Sequence, residues 1–312
     1  MTHPLRFGIM VLQDLPYPEL VEHYQQVESL GYDSAWVADH FVDPYAPDKP
    51  WFDSWTILAA LAARTDRIRI GAMVTNIIYR NPAVLAKQVL TIDHISNGRV
   101  NVAIGATSGR DLSHMMTGVP VWETPERAQR FREFSEIVDQ MLRNPTTNYT
   151  GQYYQIKDAR MSPNPIQQPR PPLTLAAAGP STLKVAACCA DTWNSFGKFN
   201  ATADEGLSLT RERGQMLDEY CVKIGRDPQT IRRSFLSGLT TDKPFASLQA
   251  FHDFVGRYQE IGISEFLFYW LPEEGHPVMV EKGLNGVCIT SRDVLERIAT
   301  EAIPVVKAKN AG

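Results

Sequence analysis

Cysteine is scarce in this chain, with four among 312 residues, at positions 188, 189, 221 and 288. No two are spaced as C-x-x-C, which removes the usual zinc-knuckle and dithiol motifs. Cys188 and Cys189 sit together in an Ala-rich apolar stretch, so buried, reduced thiols in a cytoplasmic protein are expected. An excess of charge is missing as well. The 31 Lys and Arg against 35 Asp and Glu leave a formal net charge of −4, too little to draw nucleic acid or an anionic membrane surface. Apolar runs of membrane-spanning length are absent, and residues 1–11 lead into a strand pattern without the build of a secretory signal. Several catalytic signatures are also lacking. There is no G-x-S-x-G, no P-loop, no dinucleotide-type glycine spacing, and no paired His or His–Glu spacing for a metal. Hydrolases of the serine, nucleotide and metal classes thereby lose their usual markers, and no metal is expected.

What is present is an ordinary globular balance, 44% hydrophobic and 21% charged, enough to bury a large core without disulfides. Short apolar, β-rich runs recur at 6–11, 34–38, 68–74, 100–105, 173–177, 192–196, 233–239 and 265–269. Runs such as Val-Asn-Val-Ala-Ile read as strands buried on both faces, as in a parallel sheet. A helical pattern follows each. The first carries Leu20, Tyr24, Val27 and Leu30 on one stripe and stops at Gly31. The third opens at Asn81-Pro82 and stops near Asn97-Gly98, and the fourth runs from Thr124-Pro125 to residue 143. The others are expected at 54–64, 181–190, 203–224, 247–261 and 291–308. Eight strand–helix units in alternation predict an α/β fold, a single (β/α)8 TIM barrel spanning 1–312. Long connections at 40–53, 106–123 and 270–290 fall at the C-terminal face, where such barrels keep their active sites. A fourth excess, 144–172, falls on the other face, with a small hairpin at 148–154 and a proline-rich return at 163–172.

Four segments at strand ends carry the candidate chemistry. Asp39-His40 after the second strand can give and take a proton near neutral pH, or cap a helix and pack. Gly71-Ala-Met73-Val74-Thr75-Asn76 places small residues inside a strand, the mark of a bulge or of a ligand's close approach, or of a plain central strand. Gly105-Ala106-Thr107-Ser-Gly109 and Ala178-Gly179-Pro180-Ser181-Thr182 are glycine-bearing βα turns. The second opens a helix, which suits an anion as well as an ordinary N-cap. His114 lies in the long loop after the fourth strand with Arg110 and Asp111, where a substrate contact is possible. Trp51, Trp55 and Trp270 fall in or beside long loops, where they wall a pocket or anchor the loops.

Taken together, Ser34-Ala-Trp-Val-Ala-Asp-His-Phe41, Ile68-Arg-Ile-Gly-Ala-Met-Val-Thr75, Tyr79-Arg-Asn-Pro-Ala-Val-Leu-Ala-Lys87, Ile92-Asp-His-Ile-Ser-Asn-Gly-Arg99 and Ala177-Ala-Gly-Pro180 resemble the bacterial luciferase-like flavin-dependent oxidoreductases, over nearly the whole chain. The resemblance implies a barrel that binds FMN or the deazaflavin coenzyme F420. It implies a non-proline cis peptide at Met73–Val74 behind the ring, with Thr75, Asn76, Gly105, Ala106, Thr107 and Gly109 as neighbouring contacts. It places a phosphate at Ala178, Gly179, Pro180 and Ser181, and Asp39 and His40 beside the ring's reactive edge. Asp-His-Phe is similar to the deazaflavin branch, whereas many FMN monooxygenases carry Glu-His there. Deazaflavin dehydrogenases often place a Glu soon after the fourth-strand glycines, and here none occurs before Glu123. The expectation is hydride transfer between coenzyme F420 and a small organic substrate, with His40 and Asp39 handling the proton and Trp51, Trp55, His114 and Trp270 against the substrate. The alternatives are an FMN-dependent monooxygenase that uses O2 and is supplied by a separate reductase, and a non-catalytic flavin-binding protein. A homodimer is expected from the same resemblance.

Overall fold

A computed structural model describes residues 3–270 and 291–309. Eight parallel strands close into a barrel in the order β1-β10-β9-β8-β7-β4-β3-β2. These are β1 (Arg6–Val11), β2 (Ser34–Val37), β3 (Arg69–Asn76), β4 (Val100–Gly105), β7 (Leu173–Ala176), β8 (Thr192–Ser195), β9 (Arg232–Leu236) and β10 (Glu265–Trp270). The helices between them are α1 (Tyr17–Ser29), α2 (Ser54–Ala62), α3 (Pro82–Ile95), α4 (Ser113–Thr117), α5 (Thr124–Arg143), α6 (Pro180–Cys189), α7 (Ala203–Lys223) and α8 (Leu248–Gln259). The chain ends in α9 (Arg292–Arg297), a π-helical turn (Ile298–Ala302) and α10 (Ile303–Lys309). Closure is made by β1 on β10, paired from Arg6 with Glu265 to Val11 with Trp270.

The expected strands and helices are all present, with three differences. The ninth strand stops at Leu236 rather than at 239, and β3 and β10 each run further than expected, to Asn76 and Trp270. The loop after β4 contains the short helix α4. The hairpin on the opposite face is longer than expected, with β5 (Thr146–Thr150) antiparallel to β6 (Gln155–Arg160). Of the last expected connection, 270–290, Trp270 closes β10, and residues 271–290, Cys288 among them, lie outside the described residues. Of the other cysteines, Cys221 is buried as expected, but Cys188 is exposed, because the last turn of α6 turns it away from the barrel.

Alternation along the strands sorts the side chains. Phe7, Ile9, Val102, Ile104, Phe266 and Phe268 point outward and join the helices in the main core. Met10, Trp36, Met73, Ala103, Leu236 and Leu267 form a second cluster inside the barrel. Trp36 fills its middle only because Gly71 opposes it: a Cβ there would lie 2.7 Å from the indole. The N-terminal end is closed by polar packing, with Arg69 bound to Asn101 Oδ1 at 2.6 Å and to Gln167 Oε1 at 2.8 Å. The C-terminal end is left to the loops that carry the candidate site.

Candidate active site

Asp39 is buried just past β2 and receives five hydrogen bonds. Its Oδ1 accepts from Ser54 Oγ (2.6 Å), Tyr79 Oη (2.7 Å) and Arg80 Nη2 (2.6 Å), and its Oδ2 from the Asn76 N–H (2.9 Å) and Arg80 Nε (2.8 Å). Arg80 also reaches Asp53 Oδ2 at 2.5 Å. Burial works against the Arg80 charge, but Asp39 outweighs it and holds the guanidinium above its ordinary value; burial and Asp39 both push the Tyr79 phenol up. A carboxylate so fully occupied has no lone pair left for proton traffic. The expected Asp39–His40 proton pair is therefore corrected: Asp39 locks β2, β3 and the starts of α2 and α3 together, and turns away from His40.

The partner of His40 is Asp111. His40 Nδ1 lies 3.1 Å from Asp111 Oδ2, which also accepts from Asn76 Nδ2 at 3.1 Å, while Asp111 Oδ1 takes the Ser113 N–H at 2.9 Å. Burial alone would raise the Asp111 pKa, but the bonds from His40 and Ser113 override it and bring the carboxyl down to about 2. An ionised carboxylate only accepts, so Nδ1 carries the proton and Nε2 is the working edge of the imidazole. Trp51 Nε1 donates to the His40 carbonyl at 3.0 Å. Gln13 is buried at the end of β1; its amide donates to the Ala38 carbonyl and accepts from the Ala38 N–H at 3.2 Å, and its own carbonyl takes the Phe52 N–H at 3.3 Å. It thereby ties down both ends of the loop that carries His40 and Trp51.

Beside this loop the β3–β4 ladder slips between Ala72 and Thr75, and the Met73–Val74 peptide is cis, as the resemblance implied. The slip places two consecutive side chains, Met73 and Val74, in the barrel's inner cluster. Gly105 makes room for the second, since a Cβ there would lie 2.3 Å from Val74 Cγ2. Thr75 is buried and its Oγ1 has no hydrogen-bond partner among the described residues. Thr107 takes a left-handed φ of 55°, unusual for a β-branched residue, and its hydroxyl folds onto the Ala106 carbonyl at 2.7 Å. Gly109 follows, tucked against Arg127 and Val121. Across the mouth, Gly179 caps the ten-residue helix α6, and its N–H donates to Thr182 Oγ1 at 3.2 Å. Ala178, Pro180 and Ser181 are exposed, and a Cβ on Gly179 would meet nothing within 4 Å.

A family model for luciferase-like monooxygenases matches residues 2–280. The chain belongs to the luciferase-like monooxygenase family. It is 34% identical over 200 residues to F420-dependent glucose-6-phosphate dehydrogenase of Amycolatopsis mediterranei, which covers 62% of this chain and 56% of that one. It is 30% identical over 239 residues to 5,10-methylenetetrahydromethanopterin reductase of Archaeoglobus fulgidus, covering 77% of this chain and 65% of the other. The matches thus span between about half and two thirds of these relatives' lengths. The fold follows that of coenzyme F420-dependent tetrahydromethanopterin reductase from Methanopyrus kandleri, with a TM-score of 0.75 at 18% identity, covering 97% of this chain and 99% of that one. It also follows an F420-dependent secondary alcohol dehydrogenase in complex with an F420-acetone adduct, with a TM-score of 0.74 at 18% identity and coverage of 92% and 100%.

Within this luciferase-like barrel, three expected substrate contacts fall elsewhere. Trp270 is on the outward parity of β10 and stacks on His23 of α1, with ring centroids 4.2 Å apart; Tyr269 is the neighbour that points inward. Trp55 lies on the buried face of α2 with Leu58 and Leu61, in the core between helix and barrel. His114 is buried by α4, edge-on to Trp122 at 5.5 Å, with Nδ1 3.2 Å from the Val119 carbonyl. Trp51 alone of the four stands at the mouth, half-buried on the inner cluster. Gln13, Arg80 and Asp111 were not foreseen. Asp111 lay in a segment already singled out, but nothing in its spacing indicates which way the loop folds back. Among the described residues no three His, Cys, Asp or Glu side chains gather as a metal would need.

Proposed function

We propose that this protein transfers hydride between coenzyme F420 and a small organic substrate at the C-terminal mouth of its barrel. The observation that carries the reading is the His40–Asp111 pair standing beside the Met73–Val74 platform, in a chain whose relatives include F420-dependent enzymes. The residues present fit a flavin-type group. Met73 and Val74 offer an apolar floor to one face of the ring, and the buried, unpartnered Thr75 hydroxyl offers a hydrogen bond at its edge. Asn76 and Gly105, at the ends of β3 and β4, and Ala106, Thr107 and Gly109 in the loop that follows, are the further contacts this reading gives the cofactor. The first turn of α6, with exposed Ala178, Pro180 and Ser181 and the open side of Gly179, suits the cofactor's phosphate. When bound, the deazaflavin supplies the ring carbon that accepts or returns the hydride.

His40 takes the substrate's proton at Nε2 during oxidation and returns it during reduction. Asp111 fixes the imidazole tautomer through Nδ1 and stabilises the imidazolium once the proton has arrived. Asp39, through Arg80, Ser54, Tyr79 and the Asn76 N–H, keeps the two strand ends that carry His40 and the platform in register. The same reading takes the protein to be a homodimer, as the family resemblance implies, and the free thiols of Cys188, Cys189 and Cys221 favour a reducing, cytoplasmic setting. The test is titration of purified protein with F420 and with FMN at matched concentrations, followed by fluorescence quenching. Tight binding of F420 and weak binding of FMN is the expected result. Tight binding of FMN alone would replace hydride transfer by an O2-using monooxygenase supplied by a reductase. Binding of neither would overturn the cofactor assignment.

A further inference from the structure

The alternation that turns Met10, Met73, Leu236 and Leu267 into the barrel turns Arg6, Arg69, Arg232 and Glu265 inward as well. These four lie an even number of residues earlier on β1, β3, β9 and β10, at the N-terminal end, away from the candidate active site. The ladder sets Arg6 opposite Glu265, and Glu265 opposite Ser234 of β9. The partners of the three guanidiniums are neutral. Arg69 donates to Asn101 Oδ1, to Gln167 Oε1 and, at 3.2 Å, to the Val100 carbonyl. Arg232 donates to the Pro4 carbonyl at 2.6 Å and to Ser264 Oγ at 3.5 Å. The half-buried Arg6 side chain donates to nothing among the described residues. Glu265 is buried within electrostatic reach of all three arginines, yet none of them forms an ion pair with it among the described residues.

The other charges near this end are already committed. Asp33 accepts from Lys307 Nζ at 3.0 Å and from the Phe7 N–H at 2.8 Å, and Asp93 accepts from the Ile166 and Gln167 N–H groups and the Gln167 amide. Arg99 gives its guanidinium to the carbonyls of Ala62, Thr65, Ile68 and Ser96, and faces Glu28 and Asp66. Three inward guanidiniums are left against one carboxylate. The surplus is felt nearby: burial and then the Arg6 charge bring Arg69 down to about 10, and burial together with Arg232 and Arg6 lowers the His3 imidazole. Burial raises the Glu265 carboxyl in spite of the arginines, which weakens it as their counter-charge. Cations out of water without a matching anion are costly, and guanidinium forks match the paired oxygens of an oxyanion.

We propose that the N-terminal end of the barrel binds a small doubly charged oxyanion, phosphate or sulfate, among Arg6, Arg69 and Arg232. Arg6 brings the uncommitted fork, and Arg69 and Arg232 add charge from the two flanking sides. Glu265 opposes the anion and is driven towards its protonated form as the anion enters. An anion held there links β3 and β9 through β1, across the β1–β10 seam that closes the barrel, so it acts on stability and leaves the chemistry at the opposite mouth alone.

The test is calorimetric titration of the whole protein with sodium phosphate and with sodium sulfate at constant ionic strength, in exchange for chloride. Saturable binding of both is expected. Arg6→Gln, which removes no hydrogen bond of that side chain among the described residues, is expected to weaken binding by about ten-fold or more, and Glu265→Gln, which deletes the opposing charge, to tighten it by about ten-fold. Both anions also stabilise folded proteins by exclusion from their surface, so thermal melts are compared between variants. The rise in Tm over chloride should be larger in native protein than in Arg6→Gln and larger still in Glu265→Gln. Absence of saturable binding would overturn the site. So would an affinity unmoved in both variants, the result expected if the anion sat at the first turn of α6, or one shifted in the same direction by both. The outcome is independent of the cofactor reading, because no arm of the experiment uses F420.

Discussion

His40 and Asp39 are adjacent in the chain and divided in task. Asp39 is spent on five donors, and His40 works with a carboxylate 71 residues further on. Replacing His40 by Ala is therefore expected to lower kcat by at least about 100-fold while F420 binds within about two-fold of its native affinity, since general acid–base catalysis is worth this much. Unchanged turnover in the presence of normal cofactor binding would remove His40 from the reaction. Asp111 adds a pH signature of its own. Its carboxyl titrates at about 2 in the folded protein against an ordinary 3.8, so the folded state holds the ionised form more tightly than the unfolded chain does. The stabilisation, about 2 kcal/mol, is fully present above the ordinary value and is lost as pH falls from about 4 towards 2. Urea midpoints of Asp111→Ala and native protein should differ above about pH 4 and converge as pH falls below it. A gap that persists at the acid end would mean that Asp111 stabilises the fold by something other than its charge.

At the scale of the element, β3 is the piece that shapes the proposed binding site. An unbroken strand would point Met73 inward and Val74 outward; the slip against β4 brings both inside, and Gly105 on the neighbouring strand is what accommodates the second. Gly105→Ala drives a methyl to 2.3 Å from Val74 Cγ2, closer than real contacts allow. It is expected to destabilise the protein by about 1–3 kcal/mol, and to weaken F420 binding because the displaced platform is the proposed floor for the ring. Adding Val74→Ala to Gly105→Ala should recover most of the lost stability in thermal melts, a coupling that two independent sites would not show. The strands themselves were legible in the sequence because a parallel barrel buries both faces, leaving continuous apolar runs. That same continuity hides parity. Nothing in Phe-Leu-Phe-Tyr-Trp says that Tyr269 enters the barrel and Trp270 leaves it, which is why Trp270 read as a pocket wall and proved to pack on α1. Trp55 misled for a related reason: it stands in the first turn of an expected helix, beside a long loop, and nothing in the sequence says that this turn faces the barrel and sends the indole into the helix–barrel core. Position at strand ends singled out His40 and the α6 turn, and the family resemblance pointed to the Met73–Val74 bond inside β3. Asp111 could not be paired from sequence, because a loop's return path depends on contacts such as Ser113 on Asp111 that have no periodicity.

Across the whole molecule, the barrel has to close over a long detour. Between β4 and β7, which pair directly from Val102 with Leu173 to Gly105 with Ala176, the chain leaves to build α4, α5 and the β5–β6 hairpin. Its return is held first by Asp93 of α3, which takes the N–H groups of Ile166 and Gln167, and then by one buried cation. Arg170 donates through Nε to Asp139 of α5 at 2.5 Å, through Nη1 to Asp191 at the end of α6, and through Nη2 to the Cys189 carbonyl at 3.1 Å. Asp191 in turn takes the N–H of Leu173, the first residue of β7, at 2.7 Å. One guanidinium thus sets where the detour ends and where the next strand begins. Arg170→Ala leaves mostly buried Asp139 with Arg143 as its remaining cation, and Asp191, partly open to water, without its own. The loss is expected at about 3 kcal/mol, the lower end for a broken buried ion pair, because the open partner recovers some hydration. Urea unfolding would read it as a lower midpoint at unchanged slope. The same variant should bind F420 as the native protein does, because Arg170 serves the barrel's closure and touches none of the groups at its mouth. A loss of F420 affinity at temperatures where Arg170→Ala is still fully folded would show that the detour helps to set the mouth's geometry as well as the barrel's stability.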